Sequence, residues 1–472
     1  LISFKGIFKG DLTWLSIQEV FVFIINYSIL IIFTKLLNPE IFGTVALLNM
    51  YTGVFAVISS SGSDKFIIKN QVSGNLKLSA LLINIMIFSF IIFIIALILL
   101  PIFLNSYLET TKTFFQYGFL SLLSIFTSVL YSFSRSLYIR DKQFLRMAKI
   151  LIITNIISFI LVILIGYFNR SITSLLYKQI IAAILPSVIL LYLSEFKFKL
   201  VFSRRLFLDF VTFTRFITLN NIFNYFVRNI DYFIIGKFFS TNIVGQYSIA
   251  YKVIVTPVKL VVKQIDTISF TTISKMNNHL DKIRLYYLDK ISLIAQTIFP
   301  IIFSIIFFSD ILVDIFFDSR YDNLSIIISI LSISALFQSV TGLVGNVYII
   351  SNNTKLMFKL TVLLFILQSL VLLIGAKSSN IYLFCLSYTC AYIFINFTLQ
   401  NYYALKPFKI SIFDVLKKIV LPSIISILIL GPIYFIINKS NFNSLLNISI
   451  ITLGLFSVYL IFNRKIQNLF SL

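Results

Sequence analysis

Two sets of polar residues recur at helical spacing inside otherwise apolar stretches: Asn220, Asn221, Asn224, Arg228 and Asp231, then Lys252, Thr256, Lys259, Lys263 and Asp266. At about 100° per residue, the first set falls within an arc of about 100° and the second within about 80°. Arginine forks and lysine point charges both hold phosphate, and no acidic set of equal size opposes them. The pattern therefore points to binding of an anionic or phosphate-bearing cargo by Arg228, Lys252 and Lys259, with Asn220 and Asn224 beside them. Asp231 lies three residues beyond Arg228, so it is also a helical ion-pair candidate. Lys263 and Asp266 stand near a span end, where snorkelling to the interface explains them as well as binding does. Pro257, between Lys252 and Lys259, removes a backbone hydrogen bond and predicts a bend, either a hinge or a static kink.

Other reactive types carry less. The one histidine, His279, falls in a polar connection and reads as a solvated residue rather than a catalyst. Cys385 and Cys390 share one helix but point to different faces, which gives neither a disulfide nor a metal site. Asp310, Asp314, Asp318 and Asp322 recur every four residues, and such a row is more often a solvated face than a cation site. No GxxxxGK[ST] phosphate loop is present, so the chain itself is no ATP motor of that kind. No catalytic residue, resident metal or cofactor is expected.

The elements that hold these stripes follow from composition. Of 472 residues, 59% are hydrophobic and 12% charged, and the mean hydropathy is +0.98; a soluble domain does not look like this. Apolar runs of about 20 residues, each enough to cross the hydrocarbon core, occur about fourteen times. They are too long and too uniform for barrel strands, so the chain is read as an all-α polytopic membrane protein. Lysine and arginine alternate in density from loop to loop, with about 26 on one side and about seven on the other. Positive residues stay inside, which puts both termini in the cytoplasm. The net charge of +22 is then mostly this bias and an attraction to the phospholipid bilayer, not a nucleic-acid surface. The first span is too long for a cleaved signal peptide, and since the chain opens on leucine, either a start methionine or a few residues are expected ahead of it.

One short unit is written twice. "FTKLLNPEIFG" at 33–43 and "IGKFFSTNIVG" at 235–245 align Lys35 with Lys237, Ile41 with Ile243 and Gly43 with Gly245, an offset of 202. In the first copy Asn38 caps, Pro39 takes the first helical position and Glu40 meets the positive helix end. About six spans fit in the offset, and an even number restores orientation, so the repeat is parallel. Two parallel six-helix lobes, 1–200 and 201–405, around a central cleft, with an additional helix pair at 406–472, is a transporter layout.

With these residues in place, a family resemblance can be stated. "GDLTWLSIQ" at 10–18 and "FTKLLNPEIFGTVALL" at 33–48, followed by "NNIFNYFVRNIDYFIIGKFF" at 220–239, "VGQYSIAYKVIVTPVKL" at 244–260 and "FFDSRYDNLSIIISILSI" at 316–333, resemble the Wzx-type oligosaccharide-lipid flippases. These belong to the superfamily that also holds the multidrug extruders and the lipid II flippase. The resemblance implies flipping of undecaprenyl-diphosphate-linked oligosaccharide across the bacterial cytoplasmic membrane for O-antigen, capsule or exopolysaccharide. It also implies coupling to a proton or sodium gradient and a polysaccharide polymerase downstream. Asp318 stands where glycine is usual, and "SFTTISKMNN" at 269–278 lacks the usual proline, so those two stretches are expected to differ. The alternative is an ion-coupled multidrug or metabolite exporter, for which Asp231 is the one good cation-pairing acid. A membrane glycosyltransferase is disfavoured by the short loops.

Overall fold

In hydrocarbon a backbone must satisfy its own polar groups, and a helix does so within one segment. The computed structural model describes residues 11–60, 62–69, 72, 74–108, 112–273, 276, 280–351, 353–440 and 444–470, and among these there is no strand. In chain order the helices are α1 (Asp11–Leu36), α2 (Pro39–Ser60, resumed as Ser63–Lys69), α3 (Asn75–Tyr107), α4 (Lys112–Leu122 and Ser124–Arg140), α5 (Phe144–Phe168), α6 (Ile172–Leu193) and α7 (Arg204–Phe238). Then follow α8 (Thr241–Ile273), α9 (Leu280–Phe316), α10 (Leu324–Thr341 and Val344–Ile350), α11 (Thr354–Lys377), α12 (Ile381–Cys390, continued to Leu405), α13 (Ile412–Lys439) and α14 (Ser444–Phe470).

Eleven of them are long and apolar enough to cross a membrane. The others are informative exceptions. Helices α7 and α8 have the length, but their polar stripes lower the hydropathy, and α14 offers the shorter apolar stretch Leu446–Phe462. The protein is an all-helical, multi-pass membrane protein.

Three lysine- and arginine-rich connections between apolar runs, near 61–78, 194–209 and 268–287, are shorter than those runs suggest. Helix Ser63–Lys69 occupies part of the first, α7 already begins at Arg204, and α8 continues to Ile273. A helix end that leaves hydrocarbon keeps its hydrogen bonds while its composition turns polar, so hydropathy reports the membrane boundary and not the helix boundary.

The described chain forms two compact units, one ending at Gly245 and the other starting at Gln246. In the first, α7 packs on α2 and α3. Its core gathers Phe66, Leu81, Val129, Phe133, Leu151 and Phe210, all buried. The start of α2 follows its sequence signals: Pro39 opens the helix and Glu40 sits in the first turn. Close to it, Gly43 lies against the carbonyl of Thr241, and Gly245 lies against the carbonyl of Pro39.

In the second unit α9 is the central post. Helices α10, α13 and α14 pack on it, with Phe308, Leu430, Ile437 and Ile451 forming a buried cluster. The Tyr459 hydroxyl of α14 donates to the Thr297 carbonyl at 2.7 Å. Arg284, near the start of α9, pairs with Asp414 of α13 at 2.9 Å. Helix α12 carries a π-helical turn, Ala391–Phe397. There the buried Asn396 amide donates to Gln368 of α11 at 3.1 Å.

Candidate functional site

Within the first unit, the end of α2 with its continuation, α4 and the middle of α7 frame an open cavity of about 430 Å³. Tyr225 builds one wall. Its hydroxyl donates to the carbonyls of Asn49 and Met50, at 3.1 and 3.0 Å, and its ring lies so close to Gly53 that a Cβ there would collide with it. Glycine at that position is what lets α7 cross α2 at this distance. Ser63 and Ser132 share a hydrogen bond of 3.0 Å that ties the α2 continuation to α4.

The cavity is lined by Asn221, Asn224, Arg228 and Asn229 of α7 and by Asp64 and Lys65 of the α2 continuation. Arg228 and Lys65 are exposed, and neither makes a hydrogen bond or ion pair among the described residues. Amides of the site are partly oriented by their own helix. Asn224 donates to the Asn220 carbonyl at 2.9 Å and Asn229 to the Tyr225 carbonyl at 2.7 Å, the i−4 pattern available to a short polar side chain in a helix. Two cations against one carboxylate leave the cavity net positive, with amides that can turn toward hydroxyls.

The structure thus brings Asn221, Asn224 and Arg228 of the α7 stripe to one cavity. Asn220 is half-buried and contributes its carbonyl to Asn224. Asp231 is buried, at 1% exposure, whereas Arg228 is exposed, and the two form no ion pair. On α8, Lys252, Lys259 and Lys263 are all exposed. Thr256 donates to the Lys252 carbonyl at 2.6 Å, the helix runs on through Pro257, and Asp266 accepts from Asn346 of α10 at 2.6 Å. His279 lies outside the described residues.

Of the acidic row, Asp318 accepts from Arg320 at 2.7 Å and Asp322 from Gln246 at 2.9 Å. Among the described residues, no three histidine, cysteine or acidic side chains come together to hold a metal. Sequence reading missed Lys65, Asp64, Tyr225 and Asn229. Tyr225 and Asn229 gave only a weak signal: each is one position past a stripe residue and so about 100° around the helix from it.

Comparison with known proteins extends this reading. A model for the family described as polysaccharide biosynthesis protein matches residues 32–326. The chain is 25% identical over 233 residues to the teichuronic acid biosynthesis protein TuaB of Bacillus subtilis (strain 168), covering 47% of each chain. It is 22% identical over 191 residues to the lipopolysaccharide biosynthesis protein WzxC of Escherichia coli (strain K12), covering 40% of this chain and 39% of WzxC. The aligned region thus spans less than half the length of these two relatives. In fold it is similar to the lipid II flippase MurJ in an inward closed conformation, with a TM-score of 0.72 and 16% identity over 95% of this chain and 99% of that one. A family match across well over half of the sequence, with the fold to go with it, makes this chain a member of the polysaccharide biosynthesis protein family.

Proposed function

We propose that the protein flips an undecaprenyl-diphosphate-linked oligosaccharide repeat unit from the cytoplasmic to the outer leaflet, by alternating access, for O-antigen, capsule or exopolysaccharide assembly. The observation that carries this reading is the cavity in which Arg228 and Lys65 stand beside Asn221, Asn224 and Asn229. Cations suit a diphosphate, and a few placed amides suit sugar hydroxyls. A charge at membrane depth costs about 2.5–3.5 kcal/mol even on a lenient scale, so Arg228 is not kept there without a use. Membership of the family supports the same direction, as do the names of TuaB and WzxC.

In this reading the chain is a transporter and not an enzyme. Asn220, Asp231, Lys252, Lys259 and Lys263 are residues met at other stages of transport, and Pro257 is the hinge. A proton or sodium gradient drives the cycle, both termini face the cytoplasm of a bacterial inner membrane, and polymerase machinery takes the product. The buried carboxyl of Asp231 favours one second reading, an ion-coupled multidrug or metabolite exporter.

Mass spectrometry of lipid-linked glycans after depletion of the protein separates the two. Build-up of a complete undecaprenyl-diphosphate repeat unit on the cytoplasmic face is expected. Sensitivity to small toxic compounds without such an intermediate would move the function to the exporter.

A further inference from the structure

The connection between α6 and α7, residues 194–203, is neither helix nor strand, yet it is tied along α3. The Lys197 amide donates to Asn75 Oδ1 at 3.2 Å and the Lys199 amide to Ser79 Oγ at 2.9 Å, and Asn84 donates to the Ser203 carbonyl at 2.9 Å. Asn75 and Ser79 are one helical turn apart, about 6 Å, and alternate residues of an extended chain are separated by nearly the same distance, about 6.6 Å. The segment therefore lies alongside α3 with its odd-numbered amides turned to that helix. Its even-numbered residues are Phe196, Phe198, Leu200 and Phe202. Phe196 packs into the core, edge-on to Phe133, but Phe198, Leu200 and Phe202 are 56%, 88% and 58% exposed.

This combination fixes a depth. A non-helical backbone cannot face hydrocarbon, because its unpaired groups need water, while three large apolar side chains in a row do not belong in water. Both demands are met at the membrane interface, with the backbone at headgroup level and the side chains among the upper acyl carbons. The charges on the segment agree: Lys197, Lys199, Arg204 and Arg205 stand against Glu195. Beside it a groove of about 1070 Å³ is lined by Val201 and Ser203 of the segment, by Lys77 and Arg205, by Asp209, and by an apolar wall that includes Phe66.

We propose that residues 195–205 form an interfacial strap that binds anionic phospholipid, with Phe198, Leu200 and Phe202 among the acyl chains and the headgroup phosphate held by Lys77 and Arg205 in the adjoining groove. Asp209 sets a preference for a headgroup with hydroxyls to donate, such as phosphoglycerol. The strap joins α6 to α7, so lipid bound there anchors the end of the helix that carries Arg228. This site is independent of the cargo proposed above.

The test uses the full chain with Trp14→Phe, which removes the one tryptophan, and Leu200→Trp as reporter, reconstituted in vesicles. Brominated phosphatidylcholine should quench the reporter, and brominated phosphatidylglycerol at equal mole fraction should act as though about fivefold enriched, the gain one well-placed cation gives at an anionic surface. Adding Lys77→Gln and Arg205→Gln should remove that preference and leave quenching by phosphatidylcholine. Quenching by aqueous iodide instead of bromolipid overturns the strap, and equal quenching by the two lipids overturns the anionic site. The two-lipid comparison needs no groove variant, so misfolding of the charge variants would not leave the question open.

Discussion

Gly43 and Gly245 meet at a backbone crossing that reads the same from either side: a Cβ on Gly43 would lie 3.0 Å from the Gly245 nitrogen, and one on Gly245 would lie 3.0 Å from the Gly43 nitrogen. The carbonyls they press on, those of Thr241 and Pro39, are themselves an equivalent pair at the offset of 202. The repeated unit is therefore used twice in one contact. Alanine at either glycine must push the two backbones apart, an overpacking of about 1–3 kcal/mol. Since one separation makes room for both methyls, Gly43→Ala and Gly245→Ala together should cost clearly less than the sum of the singles. Thermal unfolding of the four proteins in detergent measures this, and strict additivity would break the shared-crossing account.

That crossing shows how far the sequence could be read. Helix period, apolar run length and the Asn38-Pro39-Glu40 start are local properties, and the helices from α1 to α14, eleven of them long and apolar enough to span, follow from them. The stripe of Asn221, Asn224 and Arg228 was visible for the same reason, since it sits on one helix. Lys65 and Asp64 were not, because they lie on a separate short helix, Ser63–Lys69, whose approach to α7 is a tertiary contact. The π-helical turn at Ala391–Phe397 was also hidden. Its only trace was Asn396 within an apolar run, and the partner that explains it, Gln368, is on another helix.

Arg228→Ala should abolish glycan export, by about tenfold or more, while leaving the amount of folded protein unchanged. An exposed cation with no ion pair leaves no buried partner behind when removed. Arg228→Lys should restore part of the activity, because a point charge still meets phosphate without the fork, and Lys65→Gln should show an intermediate defect. Export assays on membranes with matched protein levels decide this. Full activity in Arg228→Ala and Lys65→Gln combined would remove the cavity from the mechanism.

Gln246 locks the end of the second unit by two bonds: its amide donates to Asp322 at 2.9 Å and its oxygen accepts from the Asn323 amide at 2.9 Å. The side chain is wholly buried. Replacing a buried partner by an apolar isostere leaves the other group unsatisfied, at about 1–3 kcal/mol. Gln246→Leu and Asp322→Ala should each destabilise by that order, with a coupling of about 0.5 kcal/mol or more in the double-mutant cycle. Zero coupling in the denaturation midpoints would mean that the two do not support each other.

Asp318 lies between α9 and α10, where its carboxylate accepts from the Arg320 backbone at 3.1 Å and from its guanidinium at 2.7 Å. These bonds, the side-chain one first, hold the Asp318 carboxyl below its ordinary value and raise that of Arg320. A depressed carboxyl contributes stability that is present above its unfolded value, about 3.9, and is lost as pH falls through the lower folded one. The pair is partly exposed, with side-chain exposures of 38% and 34%, so its worth is at most about 1 kcal/mol. Asp318→Asn should therefore lower stability slightly at pH 7 and lose that difference in acid, once pH has fallen through the depressed folded value and the wild-type carboxyl is protonated. Unfolding midpoints of both proteins at neutral pH and in acid provide the measurement. A gap that persists at low pH would assign the role of Asp318 to turn geometry, with its charge irrelevant.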